Sequence, residues 1–409
     1  MSYTPQLLAD FTLTQEQLLE TVQVFSDRIS RGLSQNGQEI RAIPAYLAPP
    51  PAGVSGTVLV IDTGGTNIRA AVVKLNADGT HKILSGPIKE TIPAGRQGES
   101  ISAQEFFDLQ ADLALKLNPE LHLPIGYCFS YPAESMPNSD ARLIKWTKDV
   151  HIDGVEGQLV GKMLTEALER KGYKAGSVAV LNDTVAALLA GAGAHAQDFD
   201  YHIGLIAGTG TNMAAFVPVT PENKLSRLSW RFPSMAVNLE SGNLTPPYLN
   251  KYDDKLDAHL DLTGQHRYEK AVAGYYLPFL YAEAHPGDDA EDFDPYKGTE
   301  QLVNLRDRQH DGLAAAIMNR SADLIAAGLA GLIRALGSKG RVCITAEGSR
   351  YWADPDLAPH VAKLLPTLVA PEVTFSIIKV DDANMVGCAY AALANSALSR
   401  SIKQVTPAG

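Results

Sequence analysis

The 409-residue chain is 45% hydrophobic and 20% charged, with 35 basic against 46 acidic residues and a formal net charge of −11. These are the proportions of a globular protein with material for about two or three domains. The acidic balance excludes an electrostatic footprint for nucleic acid and disfavours an anionic membrane surface, because both need clustered Lys and Arg. The three cysteines, Cys128, Cys343 and Cys388, are too far apart in sequence for a metal motif, and their odd number argues against a disulfide framework. They read as buried thiols in a reducing compartment. MSYTPQLLAD lacks the basic start and apolar core of a signal peptide, and no apolar run is read as long enough to span a membrane. The expected compartment is therefore the cytoplasm.

In chain order, 15–33 reads as an amphipathic helix with Leu18, Leu19, Val22, Phe25, Ile29 and Leu33 on one face, and Thr14 and Gln17 have capping-box spacing. The proline triplet in 42–56 reads as an extended linker. Strands are expected at 57–62, 68–75 and 81–89, a helix at 102–118, and an apolar run at 125–132 that Pro132 stops. A helix at 155–171, a buried strand at 178–182 and a small-residue helix at 184–195 follow. A helix is expected over 265–284, and the acidic 284–298 reads as a solvated surface loop. Long helices over 311–336, strands at 341–346 and 373–380, and a helix at 384–398 complete an alternating α/β pattern.

One pattern occurs twice. VLVIDTGGTNIRAAVV, 58–73, returns in outline as HIGLIAGTGTNMAAFV, 202–217. Each copy is an apolar run, a Gly and Thr turn and a second apolar run, which predicts two β-hairpins. Glycine lets backbone approach an anion closely and threonine adds a hydroxyl donor, so two such turns suit two lobes gripping one nucleotide. An ordinary tight turn is the plainer alternative for either copy alone.

Several residues can carry chemistry. Asp62 ends the first apolar strand; it can hold Mg²⁺, directly or through water, or merely form an Asx-turn. Asn182-Asp183-Thr184 stands where a strand passes into a helix, the edge at which open α/β sheets bind ligands. A helix cap needs only one such side chain, which leaves the other to face a crevice and accept a proton from a hydroxyl. Lys148, after Trp146-Thr147, matters only if it faces a transferring phosphoryl group. Glu240 and Glu269, each taken alone, are ordinary surface carboxylates.

Together these segments resemble the hexokinase family of ATP-dependent sugar kinases over nearly the whole chain. DTGGTNIR and IGLIAGTGTNMAAF resemble its two phosphate hairpins, and FSYP with KWTKD its sugar loop. LNDTVAALLAG resembles its catalytic-base segment, NLESG and RYEK its sugar-contacting glutamates, and TAEGSRY its adenosine segment. The resemblance implies a two-lobed actin-like (ribonuclease H-like) ATPase fold with a central cleft. The small lobe would be 55–181 joined by the C-terminal helix, about 384–402, and the large lobe 1–45 and 182–383.

It further implies transfer of a phosphoryl group from ATP, with Mg²⁺, to the 6-hydroxyl of a hexose, glucose first among them. Asp183 would be the general base, and Lys148 would reach the transferring group. Ser130, Thr147, Lys148, Asn182, Asp183, Asn212, Glu240 and Glu269 would hold the sugar. Asp62, Gly64, Gly65, Thr66, Asn67 and Arg69 would line the phosphates on one side and Gly208, Thr209 and Gly210 on the other, with Gly348 and Ser349 near the adenosine. Water competes with the sugar as nucleophile, so the lobes are expected to close around sugar. The implied partners are the hexose and the nucleotide, without nucleic acid or membrane, in a monomer or homodimer.

The chain departs from the family pattern at Ser241, where tryptophan is usual, at Thr63, where leucine is usual, and throughout 283–311. A catalytically silent sugar-binding regulator of the same fold is the alternative, against which the presence of Asp62, Lys148 and Asp183 counts.

Overall fold

The computed structural model describes residues 3–93, 101–147, 150–228, 232–285 and 293–405. Helix α1, Gln15–Ser34, starts at a capping box in which Thr14 and Gln17 satisfy each other's backbone N–H groups. Strand β1, Ile43–Pro44, lies inside the proline-rich segment expected to be a linker. Then come β2 (Gly56–Thr63), β3 (Asn67–Leu75), β4 (His81–Thr91), α2 (Ala103–Leu115), β5 (Ile125–Phe129), β6 (Val178–Leu181) and α3 (Asp183–Ala194). The second half supplies β7 (Tyr201–Ala207), β8 (Thr211–Pro218), β9 (Ser234–Asn238), α4 (Lys251–His259), α5 (Arg267–Val272) and α6 (Gly312–Ala335). It ends with β10 (Gly340–Glu347), α7 (Ser349–Ala353), β11 (Val373–Ile378) and α8 (Ala383–Val405).

These strands form two large sheets, ordered β6-β5-β2-β3-β4 and β1-β9-β8-β7-β10-β11. In each sheet an antiparallel hairpin and a third antiparallel strand are followed, on the hairpin's other side, by two parallel strands. The repeat seen in the sequence is thus the visible part of a repeated fold unit. Its apolar runs bury almost every residue: β2 reads two half-buried then six buried positions.

Helices fill the space around the sheets. One face of the first sheet packs on α2 and the helix Val160–Arg170, and one face of the second packs on α1 and α6. Between the sheets lie α3 and α8, in contact with each other. They touch so closely that a Cβ on Gly387 would sit 1.9 Å from the Ala186 carbonyl oxygen. No side chain fits there.

Several sequence expectations change. Helix α6 is long and apolar enough to cross a membrane, contrary to the reading that no run is, but it is mostly buried as a core helix against α1. The helix expected at 155–171 begins only at Val160, because Gln158 N–H closes a turn onto the Val155 carbonyl. The single helix expected over 265–284 is two, Arg267–Val272 and Leu277–Ala284. Ala273 is extended, and the next two N–H groups turn away to the second hairpin: Gly274 to the Gly208 carbonyl and Tyr275 to that of Thr209. Strand β5 stops at Phe129, before Pro132. Of the acidic 284–298 loop, 286–292 lie outside the described residues, and Pro295–Lys297 form one 3₁₀ turn. The helices Lys251–His259, Glu300–Gln309 and Leu357–Leu364 were not anticipated.

Candidate active site

Both glycine turns connect true hairpins. In the first, the Gly64 N–H bonds to the Asn67 carbonyl at 3.0 Å. Asp62 and Arg69 are register partners, and Arg69 closes on Asp62 Oδ2 through Nε at 3.1 Å and Nη2 at 2.5 Å. Thr63, the unusual residue, is buried with its hydroxyl donating to Gln110 Oε1, so it costs no unsatisfied polar group. In the second, the Gly208 N–H bonds to the Gly210 carbonyl at 3.0 Å. Close quarters exclude side chains here: a Cβ on Gly210 would meet Glu269 Oε1 at 2.8 Å, and Gly348, at φ 124°, would drive one to 2.5 Å from the Ala207 carbonyl oxygen.

The strand-to-helix edge resolves the Asn182-Asp183 pair. Asn182 is the cap of α3, its side chain accepting from the Val185 N–H at 3.0 Å. Asp183 sits one residue inside the helix. Its Oδ1 accepts from the N–H and hydroxyl of Thr184, at 2.7 and 3.1 Å. Among the described residues no hydrogen bond reaches Oδ2. Asp183 lines a cleft of about 880 Å³ together with Ser130, Thr147, Asn182, Asn212, Glu240 and Glu269. Gly208, Thr209, Gly210, Gly348 and Ser349 line it too.

Six sugar-loop and glutamate positions named from the sequence therefore converge on Asp183. Lys148 lies outside the described residues. Asp62, Gly64, Gly65, Thr66, Asn67 and Arg69, of the first hairpin, are not among the cleft's lining residues. The hairpin is linked to the cleft through the loop after β5, because Tyr131, a lining residue, donates its hydroxyl to the Gly64 carbonyl at 2.8 Å. Tyr131 in turn packs edge-on to Trp146, which precedes Thr147.

A polar network fixes the glutamates. Asn238 Nδ2 donates to Glu240 Oε1 at 2.6 Å, and Asn212 Nδ2 donates to Asn238 Oδ1 at 2.8 Å. Asn212 Oδ1 accepts the N–H groups of Met213 and Ser241 at 2.8 and 3.1 Å. Ser241 thus holds the local backbone through its own N–H, whatever its side chain. Glu240 itself adopts the left-handed region at φ 55°, a strained conformation for a non-glycine residue that the network sustains. Glu269 Oε1 accepts from the Thr211 N–H at 3.2 Å, tying a glutamate to the second hairpin.

Burial pushes the Glu240 carboxyl above the ordinary carboxylate range; Asn238, Arg41 and Asn212 oppose this and the Asp183 charge adds to it. Glu347, at the end of β10, is likewise raised by burial and by Asp183, against the pull of the Gly348 N–H, Arg69 and Lys379. Sequence reading missed Asn238, Glu347, Arg41 and His266, all of which line the cleft. Asn238 had a signal: it shares VNLESG with Glu240, two residues away in sequence.

A family model described as Hexokinase matches residues 4–193, and a second, also described as Hexokinase, matches 202–283 and 301–394. The chain belongs to the hexokinase family. Relatives of this hexokinase include Hexokinase-2 of Candida albicans, 29% identical over 95% of this chain and 92% of its own length. Hexokinase-1 of Saccharomyces cerevisiae is 34% identical over 66% of this chain and 58% of its own. A solved hexokinase from Schistosoma mansoni, complexed with glucose, matches at a TM-score of 0.79 and 24% identity, covering 95% of this chain and 97% of that one. A ROK family glucokinase from Streptomyces griseus, in complex with glucose and AMPPNP, matches at 0.53 and 18% identity, covering 82% and 98%. These structural likenesses establish the actin-like ATPase fold; it is membership of the family that makes this hexokinase a phosphotransferase acting on hexoses with ATP.

Proposed function

We propose that this hexokinase transfers the γ-phosphoryl group of ATP to the 6-hydroxyl of a hexose, glucose first, with Asp183 as general base. The observation that carries this reading is the Asp183 carboxylate: it lines the cleft with one oxygen held by Thr184 and no described partner on the other. The anchored oxygen fixes orientation while Oδ2 takes the hydroxyl proton. Asn182, Asn212, Glu240 and Glu269 offer paired donors and acceptors suited to hydroxyls in fixed directions. Ser130, Thr147 and, by position in sequence, Lys148 complete the sugar loop. The turn 208–210 and Gly348-Ser349 are assigned to the nucleotide, and the first hairpin to the phosphates once the lobes approach. A panel of hexoses against several phosphoryl donors tests the reading, and no turnover with glucose and ATP would end it.

The residues fit Mg²⁺. A cleft lined by Asp183, Glu240, Glu269 and Glu347 repels a bare polyphosphate, and Mg²⁺ on phosphates needs only one or two protein carboxylates. Asp62, with Oδ2 committed to Arg69, would hold it through its other oxygen or through water. Bound there, the ion would neutralise charge on the phosphates. Aligning the chain's own groups supplies the rest of the catalysis.

The lobes are assigned as 55–181 with the C-terminal helix, and 1–45 with 182–383. Closure between them would bring the first hairpin onto the cleft and exclude water. Small-angle scattering should then show a smaller radius of gyration at saturating glucose, and an unchanged one counts against closure.

Glu240→Gln should raise the glucose KM by about tenfold with a smaller change in kcat, because the amide keeps an acceptor but loses charge. The upward shift of the Glu240 carboxyl, caused by burial, gives a sign for pH. Its ionised form is lost at a higher pH than that of an exposed glutamate, so the wild-type KM rises as pH falls toward that range. Initial rates across pH should show this limb in the wild type and its loss in the variant.

A further inference from the structure

Arg350 follows the cleft-lining Gly348 and Ser349 at the start of α7, but its side chain leaves the cleft and enters the core, where the residue is 6% exposed. Its Nη1 donates to the Val272 carbonyl at 2.7 Å and to Ser321 Oγ at 2.9 Å. Ser321, on α6, donates to the same carbonyl at 2.9 Å. Val272 ends α5, and the last carbonyls of a helix have no acceptance partner inside it, so the guanidinium meets a need there.

As a contributor to stability this guanidinium is poor. Among the described residues its Nε and Nη2 have no hydrogen-bond partner, and no carboxylate pairs with it. Asp354, the acid whose charge acts on it most, is bonded by Arg306 at 3.0 Å. Burial pushes Arg350 down to about 10, with Asp354 and Tyr268 opposing and Arg306 assisting, so the side chain is still cationic at neutral pH. A buried cation without an ion pair carries a desolvation cost that an apolar side chain would avoid. Such a residue breaks the local rules of stability, as functional positions do.

The backbone around Arg350 shows what it holds. The turn 208–210 is clasped from two sides. On one, the Gly274 N–H bonds the Gly208 carbonyl at 2.8 Å and the Tyr275 N–H bonds that of Thr209 at 3.2 Å. On the other, Gly348 comes so near that a Cβ on Gly208 would lie 3.3 Å from its Cα. Arg350 joins the two sides. It stands just after Gly348 in the chain, its Nη1 holds the residue 272 carbonyl just before Gly274, and its Cδ is 3.3 Å from where a Cβ on Gly274 would stand.

We propose that Arg350 is a positioning residue for the nucleotide: by tying residue 272 to α6 and α7 it fixes the 274–275 backbone against the turn 208–210. The inference rests on the reading that this turn takes the nucleotide. Arg350 acts through the turn and not by touching ATP. Glu269 is tied separately, to the Thr211 N–H, so the sugar side of the cleft keeps its shape without the guanidinium.

The test uses the full chain with Arg350→Met, Arg350→Lys and Ser321→Ala. Arg350→Met should raise the ATP KM by about tenfold, the loss of one charged hydrogen bond, with the glucose KM at saturating ATP within about twofold. It should melt no lower than wild type, because methionine fills the space and buries no charge. Arg350→Lys should recover most of the ATP KM, since only one nitrogen of the guanidinium is in use and lysine supplies a single cationic donor. Ser321→Ala, a smaller change, removes one of the two Nη1 acceptors and should raise the ATP KM by about threefold. An unchanged ATP KM in Arg350→Met and Ser321→Ala overturns the proposal. So does lowered melting in Arg350→Met and Arg350→Lys with the ATP and glucose KM raised alike, because Arg350 would then be structural only. Should Arg350→Met fail to fold, the ATP KM of Ser321→Ala decides alone. The nucleotide reading beneath the proposal is tested separately with Gly208→Ala: a wild-type ATP KM in that variant would remove the turn as the nucleotide site, whatever Arg350 does.

Discussion

Asp183→Ala should lower kcat by about 10²–10⁴-fold, or about 3–5 kcal/mol of transition-state stabilisation, while the glucose Kd changes by less than about threefold. The two effects separate because other side chains do most of the holding. Asn182, Asn212, Glu240 and Glu269 remain in the cleft when the Asp183 carboxylate is gone. The helix remains as well, since its cap is Asn182 and not Asp183. The melting temperature should therefore stay near wild type. Asn182→Ala should show the converse in stability, losing about 1 kcal/mol with the cap. Asp183→Asn sharpens the experiment, because it keeps shape and hydrogen bonds but cannot take a proton. Rapid-quench turnover and equilibrium glucose binding on one preparation decide it. Full turnover in either Asp183 variant would remove that residue as the base, and a Kd raised as much as kcat is lowered would make it a binding group.

Arg320→Met should cost about 3–5 kcal/mol of folding stability, because it strands a buried carboxylate. Arg320, on α6, bonds Asp253, on α4, through both terminal nitrogens at 2.7 Å. The two side chains are 1% and 5% exposed, and the guanidinium lies 4.8 Å over the Phe11 ring. Water cannot reach Asp253 to solvate it once the partner has gone. Asp253→Leu combined with Arg320→Met should recover most of the loss, since an apolar pair of similar volume has no desolvation penalty. Urea titration of the single and double variants measures both numbers. A single-variant loss under about 1 kcal/mol would mean that the carboxylate finds other donors. Both residues are absent from the cleft lining, so the glucose KM should not move.

What could be read from the sequence was whatever depends on neighbours along the chain. The hairpins at 56–75 and 201–218 were legible because strand alternation and glycine turns are local signals. Helix α1 was legible for the same reason, down to its capping box. The convergence of Asn212, Glu240 and Glu269 on Asp183 was not local, and only the family resemblance linked those segments. Even the resemblance did not reveal Asn238 as the donor fixing Glu240, nor that His266 would stand beside Glu269. Those depend on strand register and on a buried Lys270–Asp257 pair whose lysine lies in RYEK but whose aspartate lies outside every motif named. The break at 273–276 was illegible because helical periodicity continues across it; the backbone is recruited instead by carbonyls of Gly208 and Thr209. The hydropathy of α6 was underestimated for a similar reason, as its apolar residues serve the core on nearly all sides.

The position of α8 has a consequence for how the protein is made. Strands β2, β3, β5 and β6 leave the ribosome early, but α8, the helix covering their inner face, follows every other described element. Until residues 383–405 have emerged that apolar surface stays uncovered, a long-separation contact of the kind that slows maturation and invites aggregation. Nascent chains halted before residue 383 should therefore engage chaperones persistently, whereas chains carrying a linker after α8 long enough to bring it out of the ribosome should be released.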